Sequence, residues 1–186
     1  MFTEACTKGN GRACSGLGQQ MRLAGDVKGS VPLFGRGCVL GYARACFYQA
    51  SFGTKAGLPA SAVQRSFERA CVGRDLRGCL GAASGLKSGD DAAKKQAAIF
   101  LDIGVHGLER ACTANDGEAC AVLGDYESGR YDPAQHDPAK AKSYYESACK
   151  AGQRDACDSG GAGKPPTKPP ATKPPPPPKP PKPPKR

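Results

Sequence analysis

Apolar and small residues recur along the chain with the period of an α-helix, each time in front of a cysteine. Five cysteines have an apolar residue four positions earlier, at Phe2, Phe34, Phe67, Leu108 and Tyr145. A small residue lies one position earlier, at Ala5, Gly37, Ala70, Ala111 and Ala148. Because these positions share one face of a helix, each stretch predicts a helix, called helix A, whose buried face ends at the cysteine.

A second cysteine follows each of the five at the spacing C-x7-C. The pairs are Cys6 and Cys14, Cys38 and Cys46, Cys71 and Cys79, Cys112 and Cys120, and Cys149 and Cys157. Small residues precede the second cysteine by one position, at Ala13, Ala45, Gly78, Ala119 and Ala156, and follow it by four, at Gly18, Ala50, Ala83, Gly124 and Gly161. A fixed local pattern that returns every 32 to 41 residues is typical of a repeat array.

The spacing within a pair indicates a helical hairpin. In a continuous helix the two cysteines would be about 12 Å apart along the axis, whereas a disulfide needs Cα atoms within about 7 Å. A bonded pair therefore requires a chain reversal, followed by a second helix, called helix B. The third position after the first cysteine suits a left-handed helix stop in four units, with Gly9, Gly41, Asn115 and Gly152, but holds Arg74 in the third, where Gly73 comes one position early. The residues expected to N-cap helix B are Asn10, Asp75 and Asp116.

Zinc binding is the other chemistry open to ten cysteines and two histidines. Zinc modules favour two to four residues between paired cysteines, and His106 and His136 have no matching partners. Structural disulfides within the five pairs are the favoured interpretation, and no metal or cofactor is expected.

Composition argues against one large hydrophobic core. The 186 residues include 25 Gly, 17 Pro and no Trp, and the mean hydropathy is −0.49. We therefore expect cross-links and stacking between units to supply the stability.

The clearest family resemblance lies in the last two units. Residues 137–152, DPAKAKSYYESACKAG, and residues 119–129, ACAVLGDYESG, resemble Sel1-like repeats, which are relatives of the tetratricopeptide repeats. Cysteines at both ends of the turn are similar to those of the bacterial secreted, cysteine-rich Hcp-type subfamily and of a mitochondrial intermembrane-space assembly factor. The resemblance implies an all-α fold, an α/α solenoid of five units near residues 1–26, 27–58, 59–89, 90–130 and 131–159. Helix A of unit two is expected to be short or absent, because residues 27–37 contain Pro32 and three glycines.

The resemblance further implies a non-catalytic scaffold that binds a protein or peptide on a concave face formed by the A helices. The residues expected there are Gln64, Arg65, Glu68, Lys94, Lys95, Lys140, Lys142 and Tyr144. A solvated helix face with i,i+4 charge pairs is the alternative interpretation of the same residues.

Some Hcp-type proteins are described as penicillin-binding with weak β-lactamase activity, which implies an alternative function in binding penicillin or peptidoglycan fragments. Ser84 and Lys87 form an S-x-x-K motif, and residues 87–89 look like K-T-G. The two motifs overlap on Lys87, so they cannot form separate walls of one active site. No catalytic residue is therefore assigned.

The location is inferred from the cysteines. Paired cysteines favour an oxidising compartment, hence export to the periplasm or the cell exterior. No stretch approaches the length of a membrane helix, and no signal peptide is visible. Since unit one begins almost at its first cysteine, an upstream part of the chain, with any signal peptide, is expected to lie outside this sequence.

Residues 160–186 form a tail of different composition, rich in Pro and Lys. It carries seven of the positive charges and is expected to be disordered and extended. A spacer, a salt-dependent contact with polyanions such as cell-wall polymers, and a P-x-x-P ligand are the candidate roles. Specific nucleic-acid recognition is not expected, because the tail has no aromatic residue to stack on bases.

Overall fold

The described part of the chain in the computed structural model, residues 2–132, 134 and 136–159, is all-helical and contains no strand. The predicted tail, residues 160–186, lies outside it. The α-helices are α1 (Phe2–Thr7), α2 (Gly11–Leu23), α3 (Val27–Val39), α4 (Ala43–Gly53), α5 (Ala60–Val72), α6 (Leu76–Leu86), α7 (Asp91–Thr113), α8 (Gly117–Glu127), α9 (Pro138–Lys150) and α10 (Arg154–Cys157), with a 3₁₀ turn at Thr54–Ala56.

Each cysteine pair joins two consecutive helices, as the spacing predicts. The disulfides are Cys6–Cys14, Cys38–Cys46, Cys71–Cys79, Cys112–Cys120 and Cys149–Cys157. The paired Cα atoms are 4.5–4.8 Å apart, near the lower limit for a disulfide. Odd-numbered helices are therefore the A helices and even-numbered helices the B helices of five hairpins.

The third residue after the first cysteine is left-handed in the four hairpins where this was predicted, and in unit three as well. Its φ is positive at Gly9, Gly41, Asn115 and Gly152, and also at Arg74, where it is 70°. Gly73 does not take over this role, because its own φ is −77°. A Cβ on Gly73 would lie 2.5 Å from the Cβ of Ala43, so this glycine allows units two and three to approach closely.

Two of the three predicted N-caps are confirmed and one is wrong. The side chains of Asn10 and Asp116 accept hydrogen bonds from the amides of Ala13 and Ala119. Asp75 occupies the N-cap position of α6 but makes no capping bond. Its carboxylate accepts two hydrogen bonds from Arg77 instead, because a bidentate guanidinium outcompetes a single amide.

The expectation that helix A of unit two is short or absent is wrong. Helix α3 runs for 13 residues with Pro32 inside it. Tertiary packing overrides the poor helix propensity, since Phe34 is fully buried and Asp26 caps the helix by accepting from the Gly29 amide. Gly37 is required by close packing, since a Cβ there would lie 2.8 Å from both the Cβ of Ala45 and the carbonyl oxygen of Gly11.

Helix packing follows the order of the chain, and the most extensive contacts join consecutive helices. At two of the four junctions between units, the aromatic residue of helix A packs onto the glycine that lies four positions after the second cysteine of the preceding unit. A Cβ on Gly18 would lie 2.8 Å from the Phe34 ring, and one on Gly124 would lie 2.6 Å from the Tyr145 ring. Gly18 and Gly124 therefore leave the space that these two aromatic rings occupy.

The buried residues form several small clusters. The largest joins α6, α7 and α8 through Leu80, Leu108, Leu123 and Tyr126, while the others consist mainly of cysteine and alanine. This agrees with the composition, which predicts no single large core. Among the described helices, none combines the length and apolarity needed to cross a bilayer.

Candidate functional site

A groove of about 480 Å³ lies where units two, three and four meet. The two turns that precede α4 and α6 form one side, through Tyr42 and Arg74 among others, and α7 and α8 form the other. Its apolar lining comes mainly from three side chains, Leu76, Leu108 and Val122. The groove therefore exists only in the assembled array, because no single hairpin supplies both sides.

Arg77 anchors the polar part of the groove. Its Nε and Nη2 donate to the two oxygens of Asp75 at 2.8 and 2.6 Å, and its Nη1 donates to Glu118 at 3.0 Å. The guanidinium carbon also lies 4.4 Å from the centre of the Phe47 ring, a cation–π distance. The Arg77 side chain is only 12% exposed, so these contacts fix its position.

Protonation of Arg77 is secured by its partners. Burial opposes the charged form, but the hydrogen bonds and negative charge of Asp75, together with the charge of Glu118, outweigh burial and raise the pKa of the guanidinium above its ordinary value. Arg77 is thus a permanent cation of the groove.

The ion pairs cross all three units. Arg44 of unit two donates to Glu118 of unit four at 3.0 Å and lies 3.9 Å from Asp75 of unit three. With Arg77 these residues form a four-member network of two cations and two anions. These ion pairs link the three units, and because their charges balance, the network adds no net charge to the groove.

Arg74 is the third cation of the groove and lies outside this network. It lines the groove and is exposed. Within the described ranges, its side chain makes no hydrogen bond or ion pair. Its left-handed backbone conformation costs a non-glycine residue roughly 1–2 kcal/mol. A free guanidinium held at this cost is available to an external anion.

The residues predicted to bind a partner lie on the A helices α5, α7 and α9. Gln64 donates to Glu68 and to the carbonyl of Ala82, so both side chains serve the α5–α6 contact. Tyr144 packs against the largest apolar cluster. The remaining residues are exposed lysines and an arginine on the A helices, Arg65, Lys94, Lys95, Lys140 and Lys142.

Lys94 is one of the residues that line a second cavity. This second cavity, of about 180 Å³, lies between α6, α7 and the chain that follows α8. The S-x-x-K residues also line it, but Ser84 Oγ donates to the Tyr131 carbonyl oxygen at 2.8 Å and Lys87 forms an ion pair with Asp132. Both groups that acylation would need are thus engaged elsewhere.

The histidines make only local contacts. His106 pairs with Asp102 one turn away, and His136 contacts the carbonyl of Ser128. In the part of the chain that the structure describes, no three His, Cys, Asp or Glu side chains are placed to hold a metal ion together.

The ion network was not predicted from the sequence, although the charges along the chain contain a signal for it. Two positions before the second cysteine every unit carries a charge, at Arg12, Arg44, Arg77, Glu118 and Asp155. The sign changes between units three and four, which is where the groove and the network lie. A charged residue at the same position of every repeat indicates a row of charged side chains along the B helices.

The chain matches no model of a known protein family, and no curated protein is significantly similar to it in sequence.

Proposed function

We propose that the chain is a non-catalytic scaffold, an α/α solenoid of Sel1-like repeats that binds a segment of a partner protein. The observation that carries the proposal is the groove across units two to four. Repeat arrays bind partners on surfaces formed by several units together, and this groove takes its lining from three.

The chemistry of the groove indicates the kind of segment. Arg74 is an exposed cation of the groove with no side-chain partner among the described residues, and Leu76 and Val122 add apolar side chains to the lining. An extended peptide with an Asp or Glu next to apolar side chains satisfies both features. The charge-balanced network beneath would hold the turns rigid, which reduces the ordering cost of binding.

A displayed library of random dodecapeptides, selected on the oxidised full chain, tests this function. We expect selected peptides to combine an acidic residue with apolar ones, and their contacts, mapped by amide chemical shifts, to fall on Tyr42, Arg74 and Val122. Arg74→Asn is the diagnostic variant. Asparagine occupies the same turn position in unit four with φ 67°, so this variant keeps the fold. We expect it to weaken binding about fivefold or more, as for loss of a charged contact.

Arg12→Gln is the control for Arg74→Asn, because Arg12 is also an exposed arginine but lies in unit one, outside the groove. It removes the same charge and should leave the affinity unchanged. Peptides whose binding falls equally in both variants would reveal a general charge effect. Failure to select any peptide that maps to the groove would contradict the scaffold function.

The alternative, binding of penicillin or peptidoglycan fragments, has one feature in its favour, because Ser84 and Lys87 line a cavity. Their engagement by Tyr131 and Asp132 leaves the serine without a base. Turnover of nitrocefin by the wild-type chain that disappears in Ser84→Ala would support the alternative. We expect no turnover above that of Ser84→Ala.

Five disulfides support a proposed location in an oxidising compartment, the periplasm or the cell exterior. The basic tail would add contacts with cell-wall polymers or other polyanions there.

A further inference from the structure

The cavity beside Tyr131 is separate from the groove and shares no lining residue with it. Its wall is mostly apolar, with Leu80, Leu101, Tyr126 and Tyr131 contributing large side chains. On the α7 side the lining residues include Ala97 and Ala98, whose small side chains leave the cavity unfilled. A mostly apolar cavity of this kind favours occupation by an apolar group.

The chain after α8 closes one side of the cavity. Tyr131 is held by the hydrogen bond that its carbonyl oxygen accepts from Ser84, and Asp132 is held by Lys87. These two contacts fix adjacent residues to the end of α6. The cavity is therefore preformed, so a ligand does not have to order its walls on binding.

The charged residues that line the cavity, Lys87, Lys94 and Asp132, carry a net charge of +1. Lys87 and Asp132 neutralise each other. Lys94 lies 3.5 Å from Asp91, but this pair is solvent-exposed, with Asp91 93% exposed, so it holds the ammonium only weakly. Because Asp91 does not line the cavity, the lining presents Lys94 as its unneutralised charge.

We propose that this cavity reversibly binds a small monocarboxylate with one aromatic ring, with the ring among Leu80, Leu101 and Tyr131 and the carboxylate toward Lys94. The size fits, since an apolar cavity of about 150 Å³ is sufficient to take up benzene. The charge fits as well, because one carboxylate balances the net positive charge of the lining residues Lys87, Lys94 and Asp132. The role of Ser84 in this site is to hold Tyr131, and no covalent bond to the ligand forms.

Titration of the oxidised full chain with 4-ethylbenzoate, followed by amide and methyl chemical shifts, tests the proposal. We expect saturable shifts at Leu80, Ala97 and Leu101. The uncharged isostere 4-ethylbenzyl alcohol should bind at least about threefold more weakly, the size of one exposed ion pair. Equal affinity of the two compounds would overturn the assignment of the ligand class.

Lys94→Gln and Lys95→Gln form a matched pair, because the two lysines are adjacent and exposed but only Lys94 lines the cavity. Lys94→Gln should lower the affinity for 4-ethylbenzoate by about two- to fivefold. Lys95→Gln should leave that affinity unchanged. Ala98→Phe should abolish binding by filling the space from an exposed helix position. Equal effects of both lysine variants, or shifts that map to the groove or never saturate, would overturn the proposal.

Discussion

At the scale of the residue, two glycines of unit two serve different physical purposes. Gly37 lies where α3 crosses α4, with no room for a Cβ, whereas Gly41 lies in open space with φ 84°. The first is constrained by packing and the second by backbone conformation.

Asparagine distinguishes these two purposes, because it tolerates the left-handed conformation but adds bulk. We expect Gly37→Ala to lower the free energy of unfolding by about 1–3 kcal/mol and Gly37→Asn to lower it further. Gly41→Ala should lower it by roughly 1–2 kcal/mol, while Gly41→Asn should recover most of that loss. Urea unfolding measures all four variants. An asparagine at position 37 that is better tolerated than alanine would contradict the packing argument.

Asp125 is a carboxyl group whose ionisation opposes folding. Burial raises its pKa above the ordinary value, although the charge of Arg130 and the hydrogen bond from Tyr145 Oη, 2.8 Å long, act in the opposite direction. Between the ordinary pKa and the raised one, the folded chain binds more protons than the unfolded chain. The free energy of unfolding contributed by this group therefore falls as the pH rises through that interval.

Tyr145→Phe removes a donor to the ionised carboxylate, so we expect the pKa of Asp125 to rise further. Stability should fall by about 1–3 kcal/mol at pH 7 and by less at pH 4. A carboxyl ¹³C titration of Asp125, with urea unfolding at the two pH values, measures both effects. Tyr48→Phe serves as the control, since the Tyr48 hydroxyl has no hydrogen-bond partner among the described residues. Equal losses of stability at pH 4 and pH 7 for Tyr145→Phe would be inconsistent with this account.

At the scale of the element, α3 shows how packing can maintain a helix against its sequence. Pro32 is an exposed residue in its interior, without an amide to donate. The buried Phe34 ring and the close crossing at Gly37 compensate for that loss.

Replacement of this proline should therefore stabilise the chain. We expect Pro32→Ala to raise the free energy of unfolding by about 2 kcal/mol, the helix-interior penalty less the entropy that proline removes from the unfolded state. Pro59→Ala is the control, because Pro59 precedes α5 with φ −65° and interrupts no helix. It should give no gain. A destabilised Pro32→Ala would mean that the ring itself makes a needed contact.

Features that depend on local geometry could be predicted from the sequence, whereas α3 and other features that depend on tertiary contacts could not. Periodicity and cysteine spacing predicted the hairpins and their turns, because these depend on local geometry. The length of α3 was mispredicted because packing of Gly37 on Ala45 favours the helix. The side chain of Asp75 was mispredicted because Arg77 binds it in place of the backbone amide. The groove could not be predicted for a similar reason, since its walls come from residues distant in sequence, such as Tyr42 and Val122.

At the scale of the whole molecule, the disulfides replace a large core. Each disulfide joins cysteines that are eight positions apart in sequence. On the chain-entropy model it contributes about 2–3 kcal/mol to the free energy of unfolding. Because helices mainly contact their neighbours in the chain, the stability of the array is a sum of hairpin and interface terms.

The oxidation state of the native protein checks this account. We expect a thiol reagent to label no cysteine of the denatured, unreduced chain, and the intact mass to show the loss of ten hydrogens. Peptide mapping should recover the five pairs within units. Free thiols or bound zinc in the native protein would leave the helical fold in place but would remove the cross-links and the argument for an oxidising compartment.

The local pairing of cysteines also determines how the connectivity can be reached during biosynthesis. Ten cysteines can pair in about 945 ways, by the counting that gives 105 for eight. In this chain the native partner is always eight residues away, whereas the nearest cysteine of another unit is at least 24 away. Since loop closure becomes less favourable with length, the nearest thiol is also the correct one. In an oxidising compartment each hairpin can be oxidised independently of the next pair, so a pairing error would remain confined to one unit.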